Sequence, residues 1–135
     1  MAFCKKKNNK TLIFKALDRN TKKVVAWVIG KRNIATVKLL YEKLKHIKNC
    51  NFYTDSWKAF KEVLPADRHI VSKKETHLIE SDNSNTRHFL ARMTRRTKVV
   101  TKCINMLNYS LKMLYYLSDN SIYDYFRRKY LSIFV

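Results

Sequence analysis

A chain of 135 residues with 46% hydrophobic content can bury one core but is short for two. Twenty-nine Lys and Arg against ten Asp and Glu give a formal net charge of +19, a field that gathers polyanions and makes nucleic acid the natural partner. Three distant cysteines (Cys4, Cys50, Cys103) and four histidines without zinc-binding spacing argue against a disulfide framework or a zinc site, and the apolar run 99–117, broken by Lys102, Asn105, Asn108 and Lys112, excludes an ordinary membrane span.

In chain order, Leu12 to Leu17 and Val24 to Ile29 are β-branched-rich apolar runs separated by a polar cluster, Asp18 to Lys23, which predicts a hairpin. Asn33 is placed to cap a helix whose stripe is Ile34, Val37, Leu40, Tyr41, Leu44 and Ile47. Asn51 to Asp55 reads as a short buried strand, Ser56 to Leu64 as a helix stopped by Pro65, and His69 to Ser72 as another strand. This alternation predicts an α/β sheet in which strands flanking helices run parallel, with the ligand crevice outside their carboxyl ends. Asp55 stands at such an end.

Thr76 to Arg96 is expected to form one helix with Glu80, Ser84 and Arg87 on one side, at i, i+4 and i+7. Val100, Ile104, Leu107, Leu111 and Leu114 mark a further helix. The residues from Ser121 onward, aromatic and basic, have no assignment. The start Met-Ala-Phe-Cys-Lys-Lys-Lys carries no apolar stretch behind its charges, so no secretion signal is expected and a cytoplasmic, nucleoid-associated location is.

Asp55 and Glu80 are the carboxylates to watch. A strand-tip acid and a helix acid in so basic a chain suit magnesium, which takes hard oxygen ligands, acting on a phosphate backbone. Each has a plainer role open to it: Asp55 as a helix N-cap, Glu80 as a first-turn acid stabilised by the helix dipole. His69 and Lys73 fit either a structural edge of the core or the DNA backbone. Asp18 stands where a turn aspartate belongs.

Tyr-Thr-Asp-Ser-Trp at 53–57, His-Ile-Val-Ser-Lys at 69–73, and Thr-His-Leu-Ile-Glu at 76–80 leading to Asn83, Asn85, Arg87, His88, Leu90, Ala91 and Arg92 follow one another in order. This series resembles the catalytic half of bacterial insertion-sequence transposases of the three-acid (Asp-Asp-Glu) type, nearest to the group founded on the first-numbered insertion sequence. Phe14 to Ala26 resembles the second and third strands of that domain.

The resemblance implies a ribonuclease-H-like fold, a mixed sheet flanked by helices, over residues 1–118, with an extra C-terminal helix and a basic aromatic tail at 119–135. It implies Mg²⁺ or Mn²⁺ held by Asp55 as second acid and Glu80 as third, hydrolytic cleavage at the element's end, and in-line attack of the freed 3′-hydroxyl on target DNA. Arg87 matches a position that grips the terminal DNA backbone. Lys73, Lys74, Arg92, Arg95 and Arg96 are the expected phosphate contacts, with DNA ends, target DNA, and a second copy or full-length transposase as partners and no membrane. The family's first acid would lie upstream of Lys5 to Lys10, as would its DNA-reading module, so a truncated piece or one of two reading frames is expected. A catalytically inactive basic DNA-binding fragment that modulates the full-length enzyme is the alternative. An RNA-binding accessory is a weaker one, since the aromatic signatures of known RNA modules are lacking.

Overall fold

Why the central hairpin reads as almost unbroken apolar sequence is clear in the computed structural model, which describes residues 2–3, 10–90 and 103–133: helices cover both of its faces. Strands β2 (Lys10–Leu17) and β3 (Val24–Gly30) pair antiparallel from Leu12 opposite Gly30 to Leu17 opposite Val24, with an irregularity at Ala16/Leu17. A two-residue strand β1 (Ala2–Phe3) adds to the other side of β2. Asp18 builds the hairpin turn: its carboxylate accepts from the backbone N–H of Asn20 at 3.1 Å and of Thr21 at 3.3 Å, and its own N–H donates to Lys23 O at 2.9 Å. Asp18 therefore has the turn role its position suggested.

Side chains alternate across a strand, so the hairpin feeds two clusters. Phe14, Ala16, Ala26 and Val28 face helix α1 (Ile34–Leu44) through its Leu40 and Leu44. Ile13, Trp27 and Ile29 face helix α4 (Ile104–Leu117) through Leu107 and Leu111, the most deeply buried leucines described. Each such leucine contributes about 1.5–3 kcal/mol relative to an exposed one. The predicted stripe of α1 holds at Val37, Leu40 and Leu44, while Ile34 is exposed and Ile47 lies past the helix end.

Asn33 caps α1 as expected, its Oδ1 accepting from Thr36 N at 3.0 Å and Thr36 Oγ1 at 2.7 Å. The chain's single glycine, Gly30, is required by close approach: a Cβ there would lie 2.6 Å from Thr36 Oγ1. β3 can thus run directly under the first turn of α1.

A second ladder pairs β4 (Phe52–Thr54) with β5 (His69–Val71), parallel as predicted, with helix α2 (Lys58–Val63) as the crossover. β4 is half-buried rather than buried, and α2 starts at Lys58, not Ser56. Trp57 joins the two halves by stacking on Phe14 at 5.9 Å and meeting the edge of Phe60 at 5.3 Å. Arg68 fastens β5 to the loop after α1 by donating to Lys48 O at 2.9 Å.

After a single 3-10 turn (Lys74–Thr76) comes helix α3 (His77–Phe89). The expected single helix from Thr76 to Arg96 is corrected here: Leu90 has extended backbone, ψ 94°, and α3 stops at Phe89. Leu90 packs on the Leu107–Leu111 cluster, which a continued helix would hold it away from. Residues 91–96, and with them Arg92, Arg95 and Arg96, lie outside the described residues, as does Val100. Of the stretch from Ser121 onward, which had no assignment, residues 121–131 belong to helix α5 (Asn120–Leu131), capped by Asp119 through Ser121 N. The protein is mixed α/β, and among the described residues a three-stranded antiparallel ladder and a separate two-stranded parallel one stand in place of the single mixed sheet that the sequence predicts.

Candidate functional site

The carboxyl end of β4 delivers Asp55 to the surface, where its Oδ1 accepts the backbone N–H of Trp57 at 3.1 Å. That bond turns the chain toward α2. It is a turn contact two residues on rather than a helix cap, since α2 begins after Trp57 with no side-chain cap. Beside it, Thr54 Oγ1 donates to Asp55 O at 2.9 Å and lies 2.7 Å from His69 Nε2. Thr54 Oγ1 and His69 Nε2 are within hydrogen-bond distance across the β4–β5 pair. His69 thus braces the strand end that presents Asp55.

Glu80 stands in the first turn of α3, exposed, with Ser84 and Arg87 exposed on the same side. The 3-10 turn leading into α3 packs against β4, and α3 itself packs against β2. Lys73 and Lys74, both exposed, lie at that turn. Arg19 locks the hairpin turn to the same region: it pairs with Glu75 at 2.8 Å and sits 4.6 Å from the centre of the Tyr53 ring.

The acids of this region divide by partner. Glu75 pairs with Arg19, and Asp82 pairs with Lys15 at 2.6 Å. Asp55 and Glu80 are in no ion pair among the described residues. No group of three His, Cys, Asp or Glu among those residues is arranged to hold a metal ion. What the structure offers is two exposed carboxylates, one past the end of β4 and one in the first turn of α3.

Sequence reasoning missed the polar knot beneath α3. Lys15, on β2, has a side chain only 2% exposed, and its amine donates both to Asp82 Oδ2 and to Thr86 Oγ1 at 2.6 Å. Thr86 Oγ1 is 2.8 Å from Asp82 O and 3.1 Å from the Tyr115 hydroxyl, a contact in which either hydroxyl can donate. Burial pushes the Lys15 amine below its ordinary value, with the Asp82 hydrogen bond and charge pulling it back. Burial pushes the Tyr115 phenol up to about 12, opposed by its bond to Thr86. Close by, Trp27 Nε1 donates to Asn108 Oδ1 at 2.9 Å and Trp27 packs on Tyr115 with ring centres 5.2 Å apart. The one available signal was Lys15 itself, a cation in the middle of an apolar strand whose two faces are both covered.

With this geometry in view, the sequence comparisons are decisive about kinship. A family model described as IS1 transposase matches residues 1–120. The chain belongs to the IS1 transposase family. It is 33% identical over 100 residues to an insertion element IS1 protein InsB of Shigella flexneri, covering 74% of this chain and 76% of that one. It is 35% identical over 98 residues to the insertion element IS1 2 protein InsB of Escherichia coli K12, covering 73% of this chain and 59% of that one. The match to the IS1 4 protein InsB of the same strain is 34% over 100 residues, 74% of this chain and 60% of that one. The chain thus spans about three-fifths of the length of these E. coli relatives. No solved structure matches it. Among the described residues of this family member, no helix is long and apolar enough to cross a membrane.

Proposed function

We propose that the chain is the catalytic portion of a DNA transposase, a metal-dependent phosphoryl transferase in which Asp55 and Glu80 are two of the acids that bind Mg²⁺ or Mn²⁺. The observation that carries this reading is the contrast among neighbouring acids within an IS1 transposase family chain. Glu75 and Asp82 are consumed by cations of the fold, while Asp55, past the end of β4, and Glu80, in the first turn of α3, are exposed and in no ion pair among the described residues.

The donors present suit the ion. Magnesium is commonly held by one or two carboxylates, with water and substrate phosphate completing its shell. Asp55 and Glu80 would hold it, and a bound divalent ion supplies positive charge against the phosphodiester oxygens at the scissile bond. Arg87, one turn beyond Ser84 on the Glu80 side of α3, is placed to bind a backbone phosphate beside that ion, and Lys73 and Lys74 to bind others. Arg92, Arg95 and Arg96 extend this phosphate-binding set along the sequence. A ribonuclease-H-like architecture is the fold this reading entails, and the antiparallel ladder β1-β2-β3 and the parallel pair β4-β5, with helices on both faces of the hairpin, are compatible with it.

The test combines metal binding with strand cleavage. Mn²⁺ titration followed by electron paramagnetic resonance should show binding that Asp55→Asn and Glu80→Gln each weaken. Cleavage of duplex DNA bearing the element's end should disappear in both variants. Unchanged Mn²⁺ binding in both variants overturns the assignment of these acids. Duplex binding without cleavage under Mg²⁺ and Mn²⁺ replaces catalysis with the role of a basic fragment that modulates full-length transposase.

A further inference from the structure

Helix α5 buries none of its residues, yet it is not uniformly polar. At 3.6 residues per turn, Ile122, Phe126 and Tyr130 fall on one stripe with Tyr123 beside them, and Arg127 and Lys129 fall on the stripe's two edges. Tyr123 is 51% exposed, Phe126, whose ring meets the edge of Tyr125 at 5.6 Å, 56% and Tyr130 63%. An Asp119 cap, whose carboxylate also pairs with Lys23 at 3.1 Å, anchors the start of α5 to the hairpin.

A row of exposed rings with a cation on each edge, on a chain of net charge +19, is complementary to a ligand that is at once anionic and planar. We infer that this face of α5 binds single-stranded DNA, its rings stacking on unpaired bases while Arg127 and Lys129 take the flanking phosphates. In a duplex the base faces are hidden by their neighbours, so duplex DNA offers this stripe only phosphates. An unpaired strand offers both phosphates and π-faces. Successive rings at 123, 126 and 130 rise about 4.5 and 6 Å along the helix axis. That is wider than the roughly 3.4 Å spacing along one strand of a duplex, and so suits a strand opened by rings set between its bases. A second copy of α5 fits poorly, because it would press Arg127, Arg128 and Lys129 against their own like. The inference rests on the DNA partnership proposed above and adds to it a strand state and a surface.

Fluorescence anisotropy with the full chain tests it, comparing a blunt duplex with the same duplex carrying a short single-stranded overhang. The intact chain should prefer the overhang. Replacing Tyr123, Phe126 and Tyr130 together by Ala, a substitution that favours helix, should weaken overhang binding by roughly tenfold or more, given the usual strength of base stacking on aromatic side chains. Blunt-duplex affinity should stay where it was. Phe126→Trp should keep the overhang affinity, and its added indole fluorescence should be quenched by an oligonucleotide. Equal loss on both DNAs, no preference for the overhang, tighter binding to single-stranded RNA or to anionic vesicles, or a stable dimer that the triple variant dissociates would each overturn the inference. Of these, blunt-duplex binding without preference overturns it alone. Failure to bind any DNA overturns the DNA partnership as well.

Discussion

Glu80 and Asp82 stand two residues apart on α3 and lead opposite lives. Asp82 turns inward, accepts the Lys15 amine at 2.6 Å and helps fasten α3 to β2. Glu80 turns outward with Ser84 and Arg87 and is in no ion pair among the described residues. The difference teaches how a basic chain keeps an acid available. With 29 Lys and Arg present, an exposed carboxylate has many potential partners, and its freedom depends on the frame around it being held by other pairs. Lys15–Asp82 beneath α3 and Arg19–Glu75 just before it do that holding, and Glu80 on the outward side of α3 stays outside both pairs.

The largest expected effect breaks the inward half of that comparison. Asp82→Ala leaves the buried Lys15 amine without its counter-charge, a loss of the kind that costs about 3–5 kcal/mol. Glu80→Ala, at an exposed position, should change stability by no more than about 0.5 kcal/mol. Urea denaturation followed by tryptophan fluorescence measures both, since Trp27 lies next to the knot. Replacing Lys15 by Met and Asp82 by Leu together should recover much of the loss, because it removes the charge along with its partner. If Asp82→Ala unfolds no more readily than Glu80→Ala, the two acids do not differ as described.

How much of this could be read in the sequence follows from the range of each interaction. The hairpin, the Asn33 cap and the parallel β4–β5 pair rest on local signals: apolar runs split by turn residues, a capping residue before a stripe, and strands flanking a helix. Asp55 at the end of β4 and Glu80 in the first turn of α3 were legible for the same reason. The Lys15–Asp82 pair was not, because its partners are 67 residues apart and neither one's neighbours reveal the other. The end of α3 was hidden by Phe89, Leu90 and Met93, which continue a helical stripe in sequence. Only the Leu107–Leu111 cluster, lying beyond, draws Leu90 out of the helix. Helix α5 carried its signal in Asp119 as cap and in rings at 123, 126 and 130, but its surplus of exposed aromatics made the stripe hard to see as a helix without a buried side.

Alkali sharpens the same contrast at smaller scale, through the inward knot. Tyr115 has its phenol raised to about 12 in the fold, against about 10 in an unfolded chain. A raised value means that its contribution is whole below pH 10 and is lost as the pH climbs toward 12. Lys15, lowered by burial, works the other way: the unfolded chain binds its proton more firmly, so this group favours the fold more as the pH rises. Comparing the intact chain with Tyr115→Phe separates the two, since the variant keeps Lys15 and removes the phenol. Denaturation midpoints should fall more steeply between pH 10 and 12 in the intact chain, and equal slopes would remove Tyr115 from the balance.

Asp119 is a third kind of acid, more open than Asp82 yet paired like it, and it should give the smallest effect. The Ser121 hydroxyl, then Lys23, hold its carboxylate down at about 2. A lowered value stabilises the fold above the unfolded value of about 3.9 and is lost as the pH falls toward 2. Because Asp119 caps α5, the loss should fall on that helix. Far-ultraviolet circular dichroism should show helical signal declining between pH 4 and pH 2 more in the intact chain than in Asp119→Asn, which keeps a capping oxygen but has no charge to lose. Asp18, also lowered by its turn bonds, titrates in both proteins and cancels from the difference. High salt should shrink the gap by screening the Lys23 contribution, leaving the hydrogen bonds to Ser121. A gap unaffected by salt would place the whole effect in the cap. No gap at all would show that α5 holds its place without this carboxylate, and that exposure, rather than pairing, decides what a surface acid contributes here.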